Sequence, residues 1–371
     1  MGLPFAINPF LRDLPVYQPG KPIEEVAREV GLPADTIIKL ASNENPLGPS
    51  RKAVRAMRQA FGRANLYPDG NAFYLKQKLA EKLSLTPANV IFGNGSNEII
   101  EFLGHALLTA ESEVVVSQYC FAVYPIMTQL FGARLVQVPA NNFTHDLDGM
   151  LKAITPRTRL IFVANPNNPT GTTVSPEALT RFVEAVPPEV VLALDEAYIE
   201  FLEEPLDLLP RIRNGNNPNL LLMRTFSKIY GLAGLRIGYG LAHPEFIAQL
   251  ERVRQPFNIN VLAQAGALGA LDDGAHVHKT RRLNARGLRF YSRAFKKMGL
   301  EFIPSKANFV VVKVGEGQQV FNAMQRQGII VRPMASYGLG EWIRITVGTA
   351  RENRKCLDAL REVLAQKSVP G

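Results

Sequence analysis

Short apolar runs alternate with helix-length amphipathic segments along most of the chain. The runs lie at residues 90–92, 114–117, 135–138, 160–164, 190–194, 220–223 and 237–241. Segments with helical spacing separate most of them, at 96–109, 121–131, 176–185 and 244–254. Because the runs are apolar at consecutive positions, they are typical of strands that are covered on both faces. The pattern predicts an α/β fold with a mostly parallel sheet.

The two ends of the chain follow other patterns. Prolines and glycines concentrate in the first 45 residues, which favours extended or turning backbone over helix. Ser50 is placed to cap the first helix after this segment. Beyond about residue 265 a long helical region precedes further predicted strands at 309–314, 329–332 and 343–347 and helices at 317–327 and 351–364.

These patterns predict three units. Residues 1–45 form an N-terminal arm and part of a small domain, and residues 46–264 form a large domain. Residues 265–371 form a smaller C-terminal α/β domain. A length of 371 residues is more than one hydrophobic core usually organises, which also favours two domains over one.

The charge of the chain raises the question of an anionic partner. Lys and Arg number 42 against 33 Asp and Glu, a net charge of +9, which can indicate nucleic acid, a membrane surface or an anionic ligand. Eight basic residues and no acidic one lie at 279–297, where Leu283, Phe290 and Ala294 recur at helical spacing. The basic residues then occupy the outer face of a helix. With no nucleic-acid-binding module around them, we expect a solvated surface and no nucleic-acid partner.

The cysteines and the N-terminus bear on the compartment. The chain has only Cys120 and Cys356, without a CxxC pair, which argues against a disulfide framework and a zinc site. The first residues show no basic segment leading into an apolar run. Polar residues interrupt the longest uncharged stretch, 114–133, so we expect no transmembrane helix. We predict a cytoplasmic protein with no metal and no membrane partner.

The segment TFSKIYGLAGLRIG, residues 225–238, groups a lysine with phosphate-binding side chains. The hydroxyls of Thr225 and Ser227 flank Lys228, and Arg236 follows eight residues later. A lone lysine after a strand is normally a surface residue. A desolvated lysine beside cationic groups, however, has a lowered pKa and can form a Schiff base with an aldehyde. This setting predicts pyridoxal phosphate as the cofactor.

Two neighbouring strand ends supply groups that could hold the ring of this cofactor. Asp195, in VVLALDEAY, ends a buried-type strand and could oppose the pyridinium nitrogen, although an aspartate there could also cap a helix. Tyr198 could donate a hydrogen bond to the phenolic oxygen. Asn165 opens NPNNPTG and could do the same, although this sequence makes a rigid turn in any protein.

NPNNPTG, DEAY and the SK pair with an arginine eight residues later, in this order and spacing, resemble the fold-type I pyridoxal-phosphate aminotransferases. The resemblance covers about residues 40–364. It implies that Lys228 forms the internal aldimine and shuttles the proton, that Asp195 pairs with the pyridinium nitrogen, and that Asn165 and Tyr198 hold the phenolic oxygen. It also implies a phosphate site that is built from Thr225, Ser227, Arg236 and the helix N-terminus at Gly95, Ser96 and Asn97.

Two aromatic residues complete the implied cofactor site. Phe121 stacks on the pyridine ring. Many members of the family carry tyrosine at this position, so the phenylalanine keeps the stacking and removes a hydroxyl. Tyr67, in LYPDG, reaches the phosphate of the other subunit's cofactor, which implies a homodimer.

Three further segments are similar to the histidinol-phosphate aminotransferase group of this family: LPVYQPGKPIEEVAREVG, KLASNENPLGPS and VRPMASYGLGEWIRITVGT. The similarity implies ping-pong transfer of an amino group from L-glutamate to imidazole acetol phosphate, giving 2-oxoglutarate and L-histidinol phosphate in histidine biosynthesis. Arg344, assisted by Arg332, binds the donor carboxylate and the substrate phosphate in turn, since a guanidinium suits both anions. Tyr17 and Asn43 line the same pocket.

Other functions are open on the same scaffold. An aromatic amino-acid transaminase or a threonine-phosphate decarboxylase could use the same tyrosine and arginines. A regulator that binds the cofactor without catalysis would need a DNA-binding module, and none is visible before residue 40.

Overall fold

A computed structural model describes residues 5–12, 14–17 and 20–367. The strands, in chain order, are β1 (Ile38–Lys39), β2 (Val90–Gly93), β3 (Glu113–Ser117), β4 (Arg134–Val138), β5 (Thr158–Ala164), β6 (Val191–Asp195), β7 (Leu220–Thr225), β8 (Gly238–Leu241), β9 (Phe302–Ile303), β10 (Phe309–Lys313), β11 (Ile329–Ile330), β12 (Arg332–Pro333) and β13 (Trp342–Thr346).

The α-helices, in the same order, are α1 (Ile23–Val30), α2 (Arg51–Ala60), α3 (Phe73–Leu83), α4 (Ser96–Leu107), α5 (Val123–Leu130), α6 (Leu147–Lys152), α7 (Pro176–Ala185), α8 (Leu209–Arg213), α9 (Pro244–Leu250), α10 (Val261–Leu271), α11 (Gly274–Lys297), α12 (Gly317–Arg326) and α13 (Ala350–Lys367). Short 3-10 helices lie at Pro9–Leu11, Ala34–Thr36, Phe61–Arg63, Pro87–Asn89, Ile199–Phe201, Ala233–Leu235 and Ala335–Tyr337.

The large sheet contains seven strands in the order β2-β8-β7-β6-β5-β3-β4. Strand β8 runs antiparallel to both of its neighbours, and the remaining pairs are parallel. The seven predicted apolar runs are these strands, with bounds that agree to within two residues. The predicted α/β class and mostly parallel sheet are confirmed.

Helices cover both faces of this sheet, which is why its strands are apolar at consecutive positions. In β3, Val114 and Val116 pack with α4, α5 and α9 on one face. Val115 belongs to the core on the other face, with α3, α6 and α7. Cys120 is buried in the first of these clusters, and burial raises the pKa of its thiol to about 12.

The small sheet is antiparallel, with the strand order β12-β13-β10-β9. It packs with α11, α12 and α13 around a separate core that contains Cys356, whose pKa burial raises to about 12. Strand β1, near the N-terminus, pairs in parallel with β11 through Ile38 and Ile329. The domain boundaries at residues 45 and 265 stay predictions.

The expectation of a non-helical arm is wrong for residues 23–30, which form α1. Pro22 occupies the N-cap of α1, where a missing N–H costs nothing, and the next proline is Pro33. The next eight residues bury Val26 and Ala27 on one side, and Gly31 ends the helix in the left-handed conformation with φ 69°. Tertiary burial of that face therefore outweighs the composition of the segment.

The basic segment lies on α11, as predicted. Its buried face carries Thr280, Asn284, Gly287 and Tyr291, and most of its basic side chains are exposed. Arg281 differs, because its Nε donates to the Glu200 carbonyl oxygen at 2.7 Å. In the part of the chain that the structure describes, no helix combines the length and the apolar character needed to cross a membrane.

Candidate active site

The carboxyl ends of β5, β6 and β7 meet at one edge of the large sheet, where α/β proteins bind their ligands. A cavity of about 400 Å³ opens there. Most of the predicted site residues line it: Tyr17, Asn43, Ser96, Asn97, Phe121, Asp195, Tyr198, Thr225, Ser227, Lys228, Arg236, Arg332 and Arg344. Residues more than 300 positions apart in the sequence thus converge on one cavity.

Three predicted residues lie outside this lining. Gly95 directly precedes Ser96 as the N-cap of α4. Asn165 is buried between two residues that do line the cavity, and its Oδ1 accepts a hydrogen bond from the Val174 amide at 3.1 Å. Tyr67 is 83% exposed and stacks on Phe257 with ring centroids 4.7 Å apart.

Lys228 is a partly buried amine with a depressed pKa. Its Nζ donates to the Ser42 carbonyl oxygen at 3.4 Å and lies 5.7 Å from the centre of the Tyr198 ring. Burial lowers the pKa of Lys228 from 10.5 to about 8, and the positive charges of Arg344 and Arg236 add to this effect. A larger fraction of neutral amine is therefore available near neutral pH than an exposed lysine would offer, as a nucleophile toward an aldehyde requires.

Asp195 ends β6 with its carboxylate held from two sides. Oδ2 accepts a hydrogen bond from the Tyr124 hydroxyl at 2.6 Å, and Oδ1 accepts one from the Ala197 amide at 3.0 Å. Burial raises the pKa of Asp195, and these hydrogen bonds oppose the rise. Tyr124 was not predicted, since nothing in the sequence of α5 separates it from other buried aromatic residues.

Asn43 connects Tyr198 to the small sheet. Its Nδ2 donates to the Tyr198 hydroxyl at 2.9 Å, and its backbone amide donates to Thr346 Oγ1 at 2.9 Å. The Asn308 side chain donates to the Asn43 carbonyl oxygen, also at 2.9 Å. Asn43 has the left-handed backbone that asparagine tolerates, with φ 55°. It therefore lines the cavity and also sets the position of Tyr198.

One end of the cavity is built to receive a phosphate group. Helix α4 begins at Ser96, and Ser96 and Asn97, whose amides have no partner inside the helix, line the cavity. A Cβ on Gly95 would lie 2.3 Å from Arg236 Nη2, and φ at Gly95 is 76°. Only glycine lets the guanidinium lie against this helix end. Ser227 adds its hydroxyl from the adjacent loop.

Two further arginines line the cavity. Arg332 and Arg344 are register partners in the antiparallel β12–β13 pair, and both line the cavity. Arg344 is buried and donates from Nη1 to Asn168 Oδ1 at 2.6 Å and from Nη2 to the Ala41 carbonyl oxygen at 3.2 Å. Its Nε has no hydrogen-bond partner among the described residues. Two neighbouring guanidiniums favour an anionic ligand.

The remaining lining residues include some that sequence reasoning missed. Asn168 lies inside the NPNNPTG motif and orients Arg344, so the motif itself carried the signal. Tyr337 follows β12 and lines the same cavity. Phe121 meets the Tyr124 ring edge to face, with centroids 5.7 Å apart. Among the described residues, no group of three or more His, Cys, Asp or Glu could hold a metal ion.

The arrangement fits pyridoxal phosphate. An amine with a lowered pKa can bind the aldehyde, a buried carboxylate can oppose the ring nitrogen, and the glycine-bounded helix N-terminus can take the phosphate. The close approach of Arg236 to Gly95 is the strongest sign that the site fits the cofactor phosphate. It places a guanidinium beside the backbone amides at the start of α4.

Comparison with known proteins identifies the family to which the chain belongs. The family described as "Aminotransferase class I and II" matches residues 35–360. A histidinol-phosphate aminotransferase from Akkermansia muciniphila is 51% identical over 365 residues, which are 98% of this chain and 100% of that protein.

Two solved structures share the fold. Histidinol-phosphate aminotransferase from Sinorhizobium meliloti, crystallised in complex with pyridoxal-5'-phosphate, has a TM-score of 0.87 and 31% identity, with 98% of each chain covered. L-threonine-O-3-phosphate decarboxylase from Porphyromonas gingivalis has a TM-score of 0.80 and 23% identity, covering 89% of this chain and 100% of that one, which is a likeness of fold alone. The chain thus belongs to the class I and II aminotransferases and, within them, to the histidinol-phosphate aminotransferase family.

Proposed function

We propose that this protein transfers the amino group of L-glutamate to imidazole acetol phosphate, with pyridoxal phosphate as cofactor, giving 2-oxoglutarate and L-histidinol phosphate. The observation that carries the proposal is the single cavity that holds Lys228, Asp195 and the Arg332–Arg344 pair. Membership of the histidinol-phosphate aminotransferase family supports the choice of substrate.

When bound, pyridoxal phosphate supplies an electrophilic aldehyde carbon and a ring that accepts electrons from the substrate. The Lys228 amine would hold this carbon and, when free, would take up and return the α-proton of the donor. An amine whose pKa is about 8 can both take and return that proton near neutral pH. Lys228 is therefore both the anchor of the cofactor and the acid–base group.

The residues around the ring control its charge. Asp195 would hold the ring nitrogen and favour its protonated form, because its buried carboxylate gains most from a positive partner. The Tyr198 hydroxyl and the Asn165 side-chain amide donate to the phenolic oxygen, with Tyr198 held in place by Asn43. Phe121, which lines the cavity, would stack on the ring. Together they stabilise electron withdrawal from the substrate α-carbon.

Arg344 and Arg332 bind the substrates. Glutamate and imidazole acetol phosphate occupy the same cavity in turn, so one pair of guanidiniums binds a carboxylate in the first half-reaction and a phosphate in the second. Arg344 is held by Asn168 and the Ala41 carbonyl oxygen and is the fixed member of the pair. Tyr17, at the mouth of the cavity, borders the same space.

The active unit in this proposal is a homodimer. Exposed apolar and aromatic side chains lie near Tyr67 in the sequence, at Phe61, Leu66, Phe73 and Tyr74, and the exposed Phe257 stacks on the Tyr67 ring. A second copy would cover them. Tyr67 is then free to reach the cofactor phosphate of the partner subunit. Sedimentation of the protein tests this point, and a monomer with full activity would contradict it. We place the reaction in the cytoplasm, where free thiols such as Cys120 and Cys356 stay reduced.

A substrate panel tests the proposed activity. We expect the highest kcat/KM for L-histidinol phosphate with 2-oxoglutarate as acceptor, measured as glutamate formation, and a much lower value for L-phenylalanine. L-threonine phosphate should release no carbon dioxide. A higher kcat/KM for phenylalanine would instead indicate an aromatic transaminase, and carbon dioxide release would indicate a decarboxylase. The Lys228→Ala variant should lose the visible absorption of the bound cofactor together with all turnover.

A further inference from the structure

A buried ion pair lies directly behind the cofactor site. Arg224 Nε donates to Glu196 Oε2 at 2.7 Å, and only 12% and 2% of the two side chains are exposed. Neither residue lines the cavity. None of the roles proposed for the cavity residues involves this pair, although burying two charges costs free energy.

The pair joins the two strand ends that carry the proposed cofactor-binding groups. Strands β6 and β7 are parallel neighbours in which Asp195 is the register partner of Met223, and the Glu196 amide donates to the Met223 carbonyl oxygen at 2.8 Å. Side chains alternate along a strand. Asp195 and Thr225 therefore face the cavity, while their neighbours Glu196 and Arg224 face each other on the other side.

Other groups close the network. The Glu200 carboxyl faces the pair, and its Oε2 is buried with no hydrogen-bond partner among the described residues. The Glu200 carbonyl oxygen accepts from Arg281 of the long helix α11 at 2.7 Å. Tyr239 on β8 also contacts the Arg224 guanidinium. The groups around the Glu196–Arg224 pair thus all belong to packed elements of the fold.

We infer that Glu196 and Arg224 are positioning residues, which fix the distance between Asp195 on one strand end and the loop that carries Lys228 on the next. The inference rests on the proposed function. A planar guanidinium held from several sides resists rotation, unlike a lysine ammonium. Without the pair the Asp195 carboxylate drifts from the ring nitrogen, which leaves the ring less protonated and a weaker electron acceptor.

A double variant separates positioning from stability. Replacing a buried ion pair by apolar side chains of similar size is often neutral or stabilising, so Glu196→Met with Arg224→Met should fold with an unchanged or raised Tm and bind one cofactor per chain. We expect kcat to fall about tenfold to a hundredfold, as for a misplacement of about 1 Å, with little change in KM. The midpoint pH of the visible cofactor band should rise, because a less protonated ring carries less positive charge.

Two controls sharpen the result. Glu200→Gln changes a carboxyl in the same network that makes no hydrogen bond to the pair, and it should keep the wild-type kcat and band midpoint. Arg224→Lys keeps the charge without the planar geometry and should behave like the double variant. Wild-type kcat and midpoint in the double variant would overturn the inference alone. A wild-type chain that bound no pyridoxal phosphate and transferred no amino group would overturn the proposed function and this inference with it.

Discussion

The depressed pKa of Lys228 makes the stability of the cofactor-free protein depend on pH in a predictable direction. Below pH 8 the lysine is protonated in both the native and the unfolded state, and the native state bears the cost of a buried charge. Between pH 8 and 10.5 the native protein releases this proton while the unfolded chain keeps it. Because the unfolded state then binds more protons, the free energy of unfolding rises with pH.

The size of the effect follows from the two pKa values. A pKa lowered from 10.5 to about 8 corresponds to about 3 kcal/mol of native-state destabilisation that disappears above pH 10.5. Because Lys228 is only partly buried and lines the cavity, solvent screening reduces the effect, and about 3 kcal/mol is its upper limit. Removing the charge altogether with Lys228→Met should therefore stabilise the cofactor-free protein near neutral pH and make little difference at pH 10.5.

Urea unfolding of the cofactor-free wild type and of Lys228→Met, at intervals from pH 7 to 10.5, measures this difference. Subtracting one curve from the other removes the titrations that both proteins share. Lys355→Met, at an exposed lysine on α13, is the matched control for replacing a lysine by methionine. A difference for Lys228→Met that does not change with pH would refute the claim that its amine is desolvated.

Three further variants test separate parts of the cavity. Tyr124→Phe removes the hydrogen bond to Asp195. Because hydrogen bonds to charged groups contribute about 1.5–3 kcal/mol, the cofactor affinity, measured by absorbance titration, should fall about tenfold to a hundredfold. Tyr119→Phe is the control, and equal cofactor affinities of the two variants would contradict the role of Tyr124. Gly95→Ala places a Cβ 2.3 Å from Arg236 at positive φ and should abolish tight cofactor binding, whereas Gly274→Ala, outside the cavity lining, meets no atom within 4 Å and should bind normally. Arg344→Lys should raise the KM for glutamate about tenfold to a hundredfold through loss of the guanidinium fork, and an unchanged KM would place the carboxylate elsewhere.

The large sheet was predictable because its local and tertiary signals agree. Each strand is buried on both faces, so the apolar runs mark the strands directly, and Ser50 caps α2 by accepting from the Ala53 amide at 3.1 Å. Helix α1 was not predictable in the same way. Its environment is set by Ile37 and Ile330 from other parts of the chain, and a proline-rich composition hid a helix that tertiary burial stabilises.

The site was predictable where residue type and spacing define the chemistry. Asp195 ends β6, and Lys228 and Arg236 lie in the loop between β7 and β8, so residue type and position at a strand end carry the information. Tyr124 and the Glu196–Arg224 pair depend on which faces of α5, β6 and β7 meet in space. The local sequence pattern does not show which of these faces come into contact. The residues that tune the site are therefore harder to read from the sequence than the residues that react.

The two buried cysteines can report on local unfolding of the protein. Thiol reagents attack the thiolate, and burial raises the pKa of both Cys120 and Cys356 to about 12, so the native protein should label very slowly. Each labelling event then requires local or global unfolding. Cys120 lies against the large sheet and Cys356 in the core of the small sheet. Equal labelling rates would show that the two cores open as one cooperative unit, and faster labelling at Cys356 would show that the small core opens first.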